Sequence, residues 1–383
     1  MTELLSDDLL ARIHARASGY DRDNAFFAED LDELTVAGYL RAFLPVEQGG
    51  RDASLLEVAR SQSRLAAAAP ATALAVNMHL VWTGVARLLR RRGDSGLAEV
   101  ERRAADGEVL AFGVSEAGND LVLFGSDTAA TPDGSGGYTF TGTKIFTSLA
   151  PAWTTLGVTG LDTSSPDAPR IVYALVRREG TTTKDDWDTV GMRASQSRTT
   201  VLDGAHAPAD AVLRRLAAGP SADPLVFGIF AVFETLIASV YTGISGRALE
   251  LAVESATGRR SKRTSAPLSD DPDIRRHIAA AAIAHDALAP QLEAVAVDIE
   301  EGVDHGDQWF RALVGLKTRA TETARTVVDQ AIRVSGGSSY FAANELGRLY
   351  RDVLAGIFHP SDPESAHATV ATALLGAPGA HAS

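Results

Sequence analysis

The sequence predicts an α+β chain in three parts: an N-terminal helical domain over residues 1–108, a middle β-barrel over 109–215, and a C-terminal four-helix bundle over 216–383. Three observations carry that reading. Apolar residues recur every three or four positions up to Glu108, short apolar runs alternate with turn residues from Val109, and the helical period returns at Leu225. A chain of 383 residues exceeds one ordinary core, so two or three domains are expected.

In the first part, LLSDDLLARIHARA and LDELTVAGYLRAFL both place apolar residues on one helical face. Gly49-Gly50 punctuates before SLLEVARSQSRLAAAA, and few residues here favour strands. The middle part alternates VLAFGVS, TPDGSGG, YTFTGTKIFTS, SSPDAPR and IVYALVRR. GSGGYTFTG reads as a turn feeding a threonine- and aromatic-rich strand, and strands at this spacing suggest a small barrel or sandwich. The last part offers four long helices, 225–256, 272–301, 308–335 and about 341–358, which short loops would join into a bundle. The tail GAPGAHAS reads as disordered.

Composition excludes several functions. With 45% hydrophobic and 22% charged residues the chain is globular, and its lack of cysteine removes disulfides, thiolate metal sites and a cysteine nucleophile. A formal charge of -13 argues against nucleic acid, whose phosphates need clustered cations. The acidic, amphipathic N-terminus is not a signal peptide, and Leu65 to Leu80, broken by Pro70, Asn77 and His79, falls short of the roughly 20 apolar residues of a membrane span. A cytoplasmic protein without membrane contact is expected.

The informative residues lie in the middle part and near the C-terminus. Phe112-Gly113-Val114-Ser115-Glu116 is followed by Gly118-Asn119-Asp120, then by Gly142-Thr143-Lys144-Ile145-Phe146-Thr147-Ser148. Further on stand Gly191-Met192-Arg193-Ala194-Ser195, then Ala331-Ile332-Arg333-Val334-Ser335-Gly336-Gly337 with Arg348-Leu349-Tyr350-Arg351-Asp352. These four segments, in this order, resemble the signatures of the acyl-CoA dehydrogenase family. The resemblance implies FAD as cofactor, with Phe112, Val114, Ser115 and Asn119 on the first flavin-facing segment and Phe146 and Ser148 on the second. An isoalloxazine is a flat, largely apolar ring with a polar edge, which Phe146 could wall and Ser115 and Ser148 could meet as donors. The alternative is a strand aromatic in the barrel core with serines capping turns.

The resemblance also places an arginine after the helix 225–256 against the FAD pyrophosphate of a neighbouring subunit. Ser261 stands at that arginine's position, so Arg260 or Arg263 would substitute, or this turn simply pairs with Asp270, Asp271 and Asp273. Gly336 and Gly337 would let backbone approach the adenosine end across that interface, although Arg333 replaces the family's common glutamine.

Desaturation of an acyl thioester needs a carboxylate to take the α-proton while hydride leaves for flavin N5. The family position for that glutamate holds Pro360, and the alternative position on the first bundle helix holds Phe233. Two other residues are candidates. Glu234, alone among apolar residues, is one step from the alternative position, a rotation of about 100° on a helix, and would otherwise be a structural carboxylate. His359 stands where several monooxygenases of this fold carry a histidine, and would otherwise be part of a helix stop with Pro360. His79, Trp153 and Trp187 read as interior residues.

The reading that follows is an FAD-dependent acyl-CoA dehydrogenase-like oxidoreductase, a homodimer or homotetramer acting on an acyl thioester, with an electron-acceptor flavoprotein as a further partner. Two alternatives stand beside it. One is a reduced-flavin-dependent monooxygenase of the same fold using His359; the other is a non-catalytic homologue that binds an acyl group or flavin.

Overall fold

The computed structural model describes residues 3–119, 121 and 123–378; Asp120 of the first signature and residues 379–383 of the tail lie outside them. The N-terminal region contains α1 (Asp7–Asp23), α2 (Ala28–Val36), α3 (Leu55–Ala68), α4 (Pro70–Arg91) and α5 (Ala98–Ala105). A capping box starts α3, with Ser54 and Glu57 exchanging side-chain and backbone bonds. Pro70, which interrupts the alanine-rich run in the sequence, sits in the first turn of α4, where its missing N–H costs nothing.

Eight strands follow: β1 (Leu110–Gly113), β2 (Ala129–Pro132), β3 (Tyr138–Thr147), β4 (Thr155–Asp162), β5 (Arg170–Val176), β6 (Thr181–Thr183), β7 (Arg198–Ala207) and β8 (Val212–Ala217). The expected barrel is not formed. The order is β6-β7-β3-β2-β4-β5-β8, with β1 parallel to β4, and the end strands β6 and β8 do not pair with each other. The reason lies in two strands. Closure needs a continuous ladder of staggered strands, whereas β6 has three residues and β2 reaches β4 through the single pair Ala129–Leu161. The result is an open, strongly interrupted sheet.

The C-terminal region holds α6 (Pro224–Gly258), α7 (Pro272–Asp286), α8 (Leu288–Glu301), α9 (Gln308–Ser335), α10 (Glu345–Asp352) and α11 (Pro363–Leu375). Asp223 caps α6 by accepting from the Leu225 amide. By length and composition α6 could cross a membrane, but its apolar window is 89% buried within the chain. The predicted helix 272–301 is two helices. Pro290 has no N–H to donate to the Asp286 carbonyl four residues back, and the break falls there. The predicted helix 341–358 shortens to α10 and a 3-10 turn over Val353–Ile357, and α11 follows it.

The helical regions grip the sheet by specific contacts. Trp82 on α4 donates to the Ala111 carbonyl at 3.1 Å, and a Cβ at Gly157 of β4 would overlap the Trp82 ring. His79 is buried with both ring nitrogens engaged, one with the Leu40 carbonyl at 2.8 Å and one accepting from the Leu110 amide at 3.1 Å. It joins α4 to β1.

Candidate active site

The first two signature segments meet on the sheet. Ile145 donates its amide to the Ser115 carbonyl at 2.9 Å, and Lys144 Nζ lies 2.6 Å from Glu116 Oε1 in a fully buried ion pair. Glu116 organises the whole connection between β1 and β2. Its two oxygens also accept from Ser126 Oγ, the Asp127 and Thr128 amides, Thr128 Oγ1 and Asn119 Nδ2. Burial opposes ionisation, but Lys144 and these donors outweigh it and hold the carboxyl down at about 2. Burial likewise draws the Lys144 ammonium down to about 8 against the pull of Glu116. Neither residue stood among the sequence candidates, although both lie inside the quoted motifs.

Lys144 is followed by a bulge. The pairing of β3 with β7 shifts register between Lys144 and Thr147, and Phe146 takes a positive φ of 56°. The bulge turns the Phe146 ring outward, 52% exposed, perpendicular to the Trp187 ring with the two centroids 6.2 Å apart. Beside it Thr147 Oγ1 is buried without a hydrogen-bond partner, while Ser148 Oγ is 2.7 Å from Ser197 Oγ. An outward aromatic face next to an orphaned hydroxyl suits a flat ring with a polar edge. Val114 is buried, and Ser115 and Asn119 are half-buried nearby on the same connection.

Phe112 joins this wall to α6. Its ring lies 5.9 Å from Phe233, nearly parallel, and 5.4 Å from Trp82. The neighbouring Glu234 serves a different surface. Its Oε1 accepts from the amide of Ser361 at 3.0 Å and from Ser361 Oγ at 3.2 Å, and its Oε2 is buried without a partner. Lys317 on α9 approaches the same turn and donates to the carbonyls of Gly356, His359 and Ser361 at 3.1, 2.9 and 2.7 Å. His359 itself is half-buried, with Nε2 3.0 Å from the hydroxyl of buried Tyr241. Burial pushes Glu234 up to about 8, and pulls Lys317 down to about 8. Burial and the Lys317 ammonium depress the His359 imidazole below the ordinary histidine range, so it is neutral at pH 7. Lys317, Tyr241 and Ser361 carry no motif, so only the tertiary structure reveals them.

The third and fourth signatures also meet. Asp352 Oδ1 accepts from the Met192 amide at 2.6 Å, and Arg351 donates to the Val190 carbonyl at 3.1 Å and to Asp21 of α1 at 2.5 and 2.9 Å. A Cβ at Gly191 would overlap the Arg351 carbonyl, which explains the glycine. Asp352 is thereby fixed behind the turn that carries His359.

Arg260, Arg263, Gly336 and Gly337 are not brought to this wall. The last residue of α6, Gly258, is 24 residues beyond Glu234, about 36 Å along the helix axis. Arg260 and Arg263 are exposed just past that end, and Arg259 ties the turn to the glycine pair by donating to the Ser335 carbonyl at 2.6 Å. Among the described residues no cluster suits a metal ion. A cleft of about 600 Å³ lined by His305, Arg311 and Arg319 opens on the side of α9 away from Lys317.

The acyl-CoA dehydrogenase C-terminal domain family matches residues 235–361. Along nearly the whole chain the protein is similar to the amino sugar nitrososynthase RubN8 of Streptomyces rubradiris, 30% identical over 92% of this chain and 84% of that one. It is 27% identical to dibenzothiophene monooxygenase of Rhodococcus erythropolis over 91% of this chain and 87% of the relative. A solved structure of KijD3 with FMN and dTDP-3-amino-2,3,6-trideoxy-4-keto-3-methyl-D-glucose covers 96% of this chain and 91% of its own, with 26% identity and a TM-score of 0.83.

These likenesses correct the expected reaction. These two relatives are named for nitrososynthase and monooxygenase activities rather than for acyl-CoA desaturation, and both family base positions lack a carboxylate here, at Pro360 and Phe233. The acyl-thioester substrate is corrected with it, since the ligand held by KijD3 is an amino sugar nucleotide. The expected FAD is corrected as well. KijD3 holds FMN rather than FAD.

Proposed function

From the premise that this chain belongs to the acyl-CoA dehydrogenase-like flavoprotein superfamily, we propose that it is an FMN-dependent monooxygenase acting on the amine nitrogen of a sugar. The observation that carries the reading is the His359 imidazole, 3.0 Å from the Tyr241 hydroxyl, beside family base positions that hold no carboxylate.

Reduced FMN supplies the two electrons with which dioxygen is split, one oxygen atom entering the substrate and the other leaving as water. Phe146 and Phe112 would wall the ring, and Ser115, Asn119 and Ser148 would meet its polar edge. Val114 backs that edge from the interior. His359 has Nε2 committed to Tyr241, which leaves Nδ1 to move a proton between the substrate nitrogen and the departing water. Phe112, Phe233 and Trp82 exclude water from one side.

The test is turnover of the FMN-loaded protein with a flavin reductase, NADH and ¹⁸O₂ against a panel of amino sugars and their nucleotide conjugates. One ¹⁸O per hydroxylated nitrogen is expected, and His359→Ala should lower kcat by about 10²- to 10⁴-fold with FMN still bound. Anaerobic bleaching of the oxidised flavin by acyl-CoAs, with no oxygen incorporation into any amine, would overturn it.

A further inference from the structure

The turn over residues 353–361 that carries His359 is held from two sides, by groups on α6 and α9. From α6, Glu234 Oε1 takes both the amide and the hydroxyl of Ser361. From α9, Lys317 Nζ gathers the carbonyls of Gly356, His359 and Ser361. Three carbonyl acceptors use all three ammonium donors, so Lys317 is fully committed to this turn. The two side chains are not within ion-pair distance of each other, and each engages the backbone instead. Phe233 and Glu234 divide one helix turn between them: a step of about 100° sends the first ring toward Phe112 and the second side chain toward Ser361.

We propose that Glu234 and Lys317 are positioning residues that together fix the place of His359, Glu234 by accepting from Ser361 and Lys317 by gathering the turn's carbonyls. The proposal rests on the reading of His359 as the proton-handling group. Glu234 then owes its place to an acceptor's work rather than to a base's. The ammonium of Lys317 has a second effect, since it opposes a positive charge on the imidazole. The titratable and charged groups around this turn are Tyr241 and Glu234 from α6, Lys317 and Glu322 from α9, Asp352 from α10, and Asp362 beyond the turn.

Two measurements on the FMN-loaded full chain test this. In steady-state turnover, Glu234→Ala should lower kcat by roughly 10²-fold with KM nearly unchanged, because the imidazole is misplaced. Glu234→Gln should retain most of kcat, since its amide oxygen still accepts from Ser361. A Gln variant as inactive as the Ala variant would overturn the proposal and make Glu234 a base. The second measurement needs no turnover. The His359 imidazole signal, identified by its loss in His359→Ala, is titrated by NMR in the wild type and in Lys317→Met. Its midpoint should rise toward the ordinary value of about 6.5 in the variant. An unchanged midpoint would overturn the electrostatic effect of Lys317, and Lys317→Arg, which keeps the charge, should titrate as the wild type; its positioning role is overturned if Lys317→Met keeps the wild-type kcat. A midpoint that rises in a protein that oxygenates no amine would leave the turn correctly described and the proposed reaction wrong.

Discussion

Two buried lysine–carboxylate arrangements in this molecule look alike in sequence and differ in kind. In the sheet, Lys144 and Glu116 touch at 2.6 Å, and both carboxylate oxygens are saturated by donors from the β1–β2 connection. In the bundle, Lys317 and Glu234 are separated by the turn they both hold, and Glu234 Oε2 has no partner. The difference teaches that the same two residue types can lock a wall or suspend a turn. A saturated ion pair fixes its surroundings. A carboxyl held through one oxygen by a single serine leaves its turn more easily displaced.

The comparison breaks most visibly under Lys144→Met. Removing one partner strands a buried carboxylate, so unfolding free energy should fall by about 3–5 kcal/mol in denaturant titrations. FMN affinity should fall with it, because the Phe146 bulge directly follows Lys144. A loss below about 1 kcal/mol would mean that the pair is not the staple described here.

The pH dependence of stability sharpens the contrast, because the two carboxyls act with opposite signs. The folded-state value of Glu116, about 2, lies below the ordinary 4.5, so its contribution is present above pH 4.5 and lost as pH falls toward 2. Glu234 is raised from the same ordinary value of 4.5 to about 8, so the folded chain binds the extra proton and stability falls as pH rises between those values. Glu116→Gln should therefore abolish part of the acid-side loss, and Glu234→Gln should flatten the decline between pH 4.5 and 8. Thermal unfolding across pH 2 to 9 checks both. Identical pH profiles for the two variants would erase the distinction.

The smallest stability effect is expected where the wall is exposed. Phe146 pays about 1–2 kcal/mol for its left-handed backbone, so Phe146→Gly should leave stability nearly unchanged or slightly raised. FMN binding should nonetheless weaken severalfold, read by flavin fluorescence quenching.

Much of this was legible in the sequence, and what was not has physical reasons. The three-part order followed from the change of hydrophobic period, and Phe146 and Glu234 stood out as an aromatic and a lone carboxylate in telling contexts. The open sheet was not legible, because closure depends on pairing at β6 and β8, which alternation within a strand does not encode. The split of 272–301 was written in Pro290 but masked by strong helical periodicity on both sides. Lys317 looked like any solvated helix lysine, because a carbonyl cluster contributed by a later turn leaves no trace in local sequence. Reaction class failed for another reason. The motifs that carry the family resemblance are shared by dehydrogenases and monooxygenases, so they do not separate the two reactions.

The bond between Asp21 and Arg351 has a consequence for biosynthesis. The partners are 330 residues apart, so α1 waits for its anchor until residue 351 has emerged from the ribosome. The aromatic wall on β1 and β3 can be assembled long before that. The order of synthesis therefore places Phe112 and Phe146 in the chain well before His359, which follows Arg351 by eight residues.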